Sequence, residues 1–178
     1  MVTPRKMAQF FGFTKEEVRT LAEKDGMDFD ELEKWYDGYQ IGNEPSMFNP
    51  NSVIQAIDSD WCESYWGKTG AYDAVSRYIR MNFDGLKDDI IQMLGGGRVK
   101  VNTTKFQNDM SVIESKDDAL TVLIHLGYLS YDRQKMECYI PNREVRGELT
   151  NAVEESGWTN VIKAIEQSEQ LLEATLRG

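Results

Sequence analysis

SKDDALTVLIHLGYLSYDRQKMECYIPNREV, residues 115–145, has the clearest order in the chain. Ser115 is a good helix N-cap, and Asp118 three residues later comes close to a capping box, so a helix should open at Lys116. Leu120, Leu123 and Ile124 mark one face of a helix over 116–126, and Gly127 marks its end. LSYD (129–132), a turn at Arg133-Gln134-Lys135 and MECYIP (136–141) then read as a β-hairpin. Helical spacing over 143–155 and 158–176 closes the chain.

Working outward, residues 98–103 (RVKVNT) alternate as a short strand should, and helices are predicted over 71–82 and 84–94, stopped by Gly95-Gly96-Gly97. A helix set leading into a two-stranded wing resembles winged-helix architecture. Further upstream, Thr14 with Glu17 forms a capping-box pattern for a helix over 14–25, and Gly26 ends it. A second helix should start near Asp28 or Asp30, run through Leu32 to Tyr36 and end at Gly38. Residues 39–50 read as a loop, since Gly42, Asn43, Pro45, Asn49 and Pro50 interrupt any period. Asn49-Pro50 then opens another helix with Val53, Ile54 and Ile57 on its apolar side, and the aromatic stretch Trp61–Trp66 is expected to be partly buried. The fold class is therefore mainly α with a small β component. With the triple glycine as boundary, residues 1–97 form a helical subdomain and residues 98–178 a winged-helix-like subdomain. No internal repeat or low-complexity linker interrupts this pattern.

The charge balance narrows the function. Twenty basic and 30 acidic side chains give a formal net charge of −10. Nucleic-acid affinity comes largely from neutralising phosphates, which this balance opposes, and the longest basic run is Arg5-Lys6. Cys62 and Cys138 are far apart with no CxxC partner, so two reduced thiols are expected rather than a disulfide framework or metal knuckle. There is no apolar run of signal-peptide or membrane-spanning length, and a cytoplasmic location is expected.

Catalytic motifs fail one by one. Gly67-Lys68-Thr69 has the last three residues of a phosphate-binding P-loop, but Cys62 stands where the first glycine is needed and Tyr65-Trp66 cannot curl around a phosphate. Gly95 to Arg98 lacks the spaced glycines of a dinucleotide cradle. Asp109 with Glu114-Ser115-Lys116 mimics the acidic-plus-lysine pattern of magnesium-dependent nucleases, yet Glu114 and Ser115 fall at a helix start, where the positive end of the helix dipole already suits acidic side chains. His125 is the only histidine and lies among Leu123, Ile124 and Leu126 with no nucleophile motif near it, which suits a packed core histidine better than a base. No catalytic or metal-ligating set is assigned.

One group of motifs remains. Trp35-Tyr36-Asp37-Gly38-Tyr39, then Gly42, then Phe48-Asn49-Pro50-Asn51-Ser52-Val53, resembles the WYDGY…G…YNP-S-V block of AAA-ATPase-like proteins that often carry a PD-(D/E)XK nuclease-like domain. Phe48 stands where that family often has tyrosine. Phe11-Gly12-Phe13-Thr14 with Glu16-Glu17-Val18, Tyr65-Trp66 with Thr69-Gly70, and Leu123–Leu129 followed by Ile140-Pro141-Asn142-Arg143-Glu144-Val145 resemble further pieces of it, in the same order over roughly residues 10–146. The resemblance implies a middle segment, after a P-loop ATPase core and before a nuclease-like domain of the same polypeptide. It implies a non-catalytic lid or regulatory role, with ATP and magnesium held by the neighbouring core and none by this chain. The residues it marks as interface or motif positions are Trp35, Tyr36, Asp37, Gly38, Tyr39, Phe48, Asn49, Pro50, Tyr65 and Trp66. Read without the resemblance, Asp37-Gly38 suits a helix end, and Trp35, Tyr36 and Tyr39 suit aromatic pinning of the loop that follows. The alternative function is a stand-alone acidic interaction domain using an apolar stripe of Val161, Ile162, Ile165, Leu172 and Leu176. A winged-helix DNA reader is disfavoured because its recognition helix would start with Asp117-Asp118.

Overall fold

The structure is a computed structural model that describes residues 11–42, 44–66, 71–81, 83, 85–104, 106 and 113–177. The Gly67-Lys68-Thr69 triplet, Gly70, Asp109, Asn43 and Arg5-Lys6 lie outside the described residues, as do the side chains of Val161 and Leu172. The chain is mainly α with a small β component, as its periodicities predict.

In order, the elements are β1 (Phe13–Thr14), α1 (Lys15–Asp25), α2 (Phe29–Tyr36), β2 (Tyr39–Ile41), β3 (Glu44–Phe48), α3 (Pro50–Ser59), α4 (Ala71–Met81) and α5 (Leu86–Leu94). They continue with β4 (Val99–Lys100), α6 (Lys116–His125), β5 (Ser130–Asp132), β6 (Glu137–Tyr139), α7 (Arg143–Glu155) and α8 (Thr159–Arg177). Both capping signals are real. The Thr14 hydroxyl accepts from the Glu17 N–H while Glu17 accepts from the Thr14 N–H, and Ser115 and Asp118 do the same at α6. Each such box satisfies two helix-end donors that would otherwise need water. Gly26 closes α1 in the left-handed region at φ 77°, and Asn49 caps α3 with Pro50 in the first turn.

Two antiparallel three-stranded sheets hold the ends of these helices, with strand orders β1-β3-β2 and β4-β6-β5. The rear sheet has the expected helix-then-hairpin order, α6 leading into β5 and β6, with β4 paired to β6 through Val99–Cys138 and Lys100–Glu137. The front sheet corrects the sequence reading, because residues 39–50 are not a loop. Gly42 takes φ 64° at the tip of a β2–β3 hairpin, and β1 adds Phe13 opposite Phe48 and Thr14 opposite Met47. Pro45 is tolerated because β1 reaches only that far, leaving its part of β3 with a single neighbour. Met47 and Phe48 are both buried, so the alternation that normally reveals a strand is missing.

The core falls into two apolar clusters. The front cluster gathers Val18, Ala22, Leu32, Tyr36, Phe48, Val53 and Ala56. The rear cluster is larger and draws on α4 through α8, with Ile79, Leu86, Ile90, Leu120, Leu123, Tyr128 and Leu149 among its fully buried members. The change of cluster therefore comes between α3 and α4, and α4 and α5 pack with the rear although they precede the triple glycine. Those glycines end a helix, as expected. The N–H groups of Gly95, Gly96 and Gly97 donate to the carbonyls of Ile91, Met93 and Gln92, which leaves no cradle of free amides for an anion. Among the described residues no helix is long and apolar enough to cross a membrane.

Candidate functional site

Six of the ten motif residues, Trp35, Asp37, Gly38, Tyr39, Tyr65 and Trp66, sit on the seam between the two clusters. Helix α2 starts at Asp28, whose carboxylate accepts from the Asp30 N–H, and its last turn carries Trp35 and Tyr36. Tyr36 is fully buried. Its hydroxyl donates to the Glu63 carbonyl at 3.0 Å and accepts from the Glu63 N–H at 3.1 Å. Its own carbonyl accepts from the Asn49 N–H at 3.2 Å, so one tyrosine fixes both the entry to α3 and the segment after it. Trp35 is half-buried beneath the Arg143 guanidinium, 4.9 Å from the ring centroid.

Asp37 caps α2 in an extended conformation and turns its carboxylate inward, where Ser46 donates to it at 2.7 Å and 2.9 Å. Its carbonyl accepts from Asn142 Nδ2 at 2.9 Å, and Asn142 at the same time caps α7 by accepting from the Val145 N–H. Gly38 follows at φ 100°, and a Cβ there would stand 2.0 Å from the Pro141 carbonyl oxygen. Only glycine lets the two backbones approach this closely. The Gly38 carbonyl accepts from the Tyr139 hydroxyl at 3.2 Å, the Tyr39 hydroxyl donates to the Gly127 carbonyl at 3.0 Å, and the Gln40 N–H donates to Ser130 Oγ at 2.9 Å. Burial pushes the Tyr36 and Tyr39 hydroxyls well above their ordinary range, so both stay protonated.

A second group of bonds centres on Glu144, which is fully buried in the first turn of α7. Ser52 donates to its two oxygens at 3.0 Å and 2.9 Å, and the Tyr65 N–H donates at 2.8 Å. Burial raises the Glu144 carboxyl above the ordinary carboxylate range, and the bonds from Tyr65 and Ser52 offset part of that rise. One turn on, Glu148 accepts from Ser64 Oγ at 2.6 Å. The two glutamates thus hold residues 64–65 against α7. Trp66 then lies edge-on to Tyr128 with ring centroids 5.5 Å apart, and it fills the space a side chain at Gly127 would need.

The ten motif residues take distinct places. Trp35, Asp37, Gly38 and Tyr39 contact the rear unit directly, Tyr36 is buried in the front cluster, and Tyr65 and Trp66 reach the rear through Glu144 and Tyr128. Phe48 lies under the front cluster against Phe29, with centroids 6.3 Å apart, in a setting where a hydroxyl would have to be desolvated. Asn49 and Pro50 act locally on α3. Sequence reasoning did not single out Ser46, Ser52, Ser64, Ser130, Asn142 or the glutamates Glu144 and Glu148 as site residues. Ser52, Asn142 and Glu144 do stand inside quoted motif pieces, which was the available signal.

Chemically, this is a set of satisfied partners. Asp37 and Glu144 both accept hydrogen bonds from serines whose hydroxyls they hold still. Among the described residues no group of three His, Cys, Asp or Glu side chains could hold a metal ion. His125 is packed edge-on against Phe106, and burial lowers its pKa. Cys62 and Cys138 lie in different clusters as free thiols, the latter pushed up to about 12 by burial. Compared with protein-family models, with curated proteins and with solved structures, the chain matches none.

Proposed function

We propose that this chain is a non-catalytic lid or regulatory segment of an AAA-ATPase-like, nuclease-associated cytoplasmic protein. In this reading it couples a P-loop ATPase core to a nuclease-like domain of the same polypeptide. ATP and magnesium belong to the core, and nucleic acid is not a direct ligand of this segment. The supporting observation is the seam itself. Motif pieces spread over residues 35–145 meet there, and their polar groups are used on one another, as expected of parts that transmit position. A coupling element needs a rigid joint between two bodies, and such a joint requires close-packed contacts with satisfied polar groups.

Sequencing the reading frame on both sides of the encoding segment tests this directly. A glycine-rich GK[ST] loop upstream and strand-borne acidic residues downstream are expected. Magnesium-dependent ATP hydrolysis or DNA cleavage by this chain alone, surviving rigorous purification, would count decisively against it.

A second reading is a free-standing interaction domain, favoured by the far end of α8. There Leu171 and Leu176 are 71% and 83% exposed, whereas Ile162 is buried in the rear cluster. Stop codons at both ends of the segment would put this reading first.

A further inference from the structure

We infer that the turn carrying Trp61, at the end of α3, docks a Lys/Arg-rich amphipathic segment of another protein. This goes beyond the lid reading and does not depend on it.

Four tryptophans are present, and three have a ring partner. Trp35 lies under Arg143, Trp66 packs on Tyr128, and Lys87 sits over Trp158. Trp61 is 67% exposed and, among the described residues, has no aromatic or cationic partner. Its backbone is nevertheless fixed. The N–H donates to the Ala56 carbonyl at 3.1 Å, and the carbonyl accepts from the Tyr65 hydroxyl at 2.8 Å and from Ser59 Oγ at 3.3 Å. Asp60, left-handed at φ 54°, makes the turn that allows this. A large ring held outward on a pre-ordered backbone loses little freedom on binding, and tryptophan is the side chain most enriched at binding hot spots. Ile54, 47% exposed, is a second exposed apolar side chain, on the outer face of α3 opposite buried Ser52, Val53 and Ala56.

The surroundings select the partner. Asp58, Asp60 and Glu63 flank Trp61, and among the described residues no lysine or arginine forms an ion pair with them. Residues 11–66 hold 13 acidic and four basic side chains, so this third of the chain accounts for −9 of the net −10. That field repels nucleic acid, anionic lipid and a second copy of the same face, and it attracts a cationic segment. An apolar anchor inside an acidic rim suits an amphipathic helix with lysine or arginine beside its apolar side chains.

Isothermal titration of the full chain with a synthetic Leu/Lys amphipathic helical peptide tests the inference. Salt-sensitive binding is expected, weakened at least about tenfold by Trp61→Ala. The triple variant Asp58→Asn, Asp60→Asn, Glu63→Gln should weaken it at low salt and much less at high salt. Both variants should melt at the wild-type temperature, because the side chains changed are exposed. Equal binding by Trp61→Ala would overturn the inference, as would equal binding of a control peptide with every leucine replaced by serine. Self-association in sedimentation, or binding to phosphatidylserine vesicles, that Trp61→Ala abolishes would assign the face to a second copy or a membrane and overturn it equally.

Discussion

The front and rear units solve the same problem with different means. The rear cluster buries 21 apolar side chains among the described residues and is framed by five helices, whereas the front cluster buries seven. At about 1.5–3 kcal/mol per fully buried large apolar side chain, the front draws far less from burial than the rear, and two of its seven are alanines. The front also carries a dense negative charge, which favours expansion. The lesson is that the front is ordered by the seam as much as by its own core. The bonds from Asp37, Gly38, Tyr39 and Gln40 to the rear do work that a larger core would otherwise do.

That comparison can be broken most forcefully at Gly38. Gly38→Ala forces a Cβ into the Pro141 carbonyl at a positive φ, and a loss of about 3–5 kcal/mol is expected, read from urea unfolding. If the front depends on the seam, amide hydrogen exchange along the urea series should show α1–α3 opening before α4–α8. A single coincident transition would mean that the two units fold as one.

Next comes Glu144→Leu, which strands the Ser52 hydroxyl and the Tyr65 N–H in a buried setting. It should cost about 2–4 kcal/mol. Glu144→Gln keeps an acceptor and should cost less, and it sharpens the electrostatics. The Glu144 carboxyl is raised in the folded state, chiefly by burial, so its contribution is fully present below the unfolded-state pKa and is lost as pH rises through the folded one. The stability of Glu144→Gln relative to wild type should therefore improve as pH is raised from the ordinary carboxylate range toward neutrality. A pH-independent difference would show that the bonds from Tyr65 and Ser52 cancel the burial effect.

Smaller effects follow. Tyr39→Phe removes one hydroxyl bond to Gly127 and should cost about 1 kcal/mol by urea unfolding. Truncation after Ser168 removes the exposed Leu171 and Leu176 but keeps Ile162 and Ile165 in place, and it should change stability by less than about 0.5 kcal/mol.

Local chemistry was legible in the sequence. Thr14–Glu17, Ser115–Asp118, Asn49-Pro50 and Gly26 each act within four residues, and each appears where its pattern says. The hairpin from Ser130 to Tyr139 was visible for the same reason. The β2–β3 hairpin was not, because proline and two consecutive buried side chains hide its strands. The aromatic stretch 61–66 is partly buried as its composition predicts, with Tyr65 and Trp66 half-buried, but only the structure shows that Trp61, after the left-handed Asp60, is the exposed member. Asp37 and Gly38 stood out as residues without revealing their partners. Ser52 and Glu144 are 92 positions apart, and no window of sequence relates them.

The distance along the chain between Gly38 and Pro141 also bears on how the molecule is made. A ribosome adding roughly 5–20 residues per second completes the front about 5–20 s before it delivers the hairpin and helix that the front rests on. During that interval the front lacks the Gly127 and Asn142 groups that hold its Tyr39 hydroxyl and Asp37 carbonyl in the folded chain. Its excess of carboxylates then protects it, because nascent copies on neighbouring ribosomes repel one another until the rear arrives.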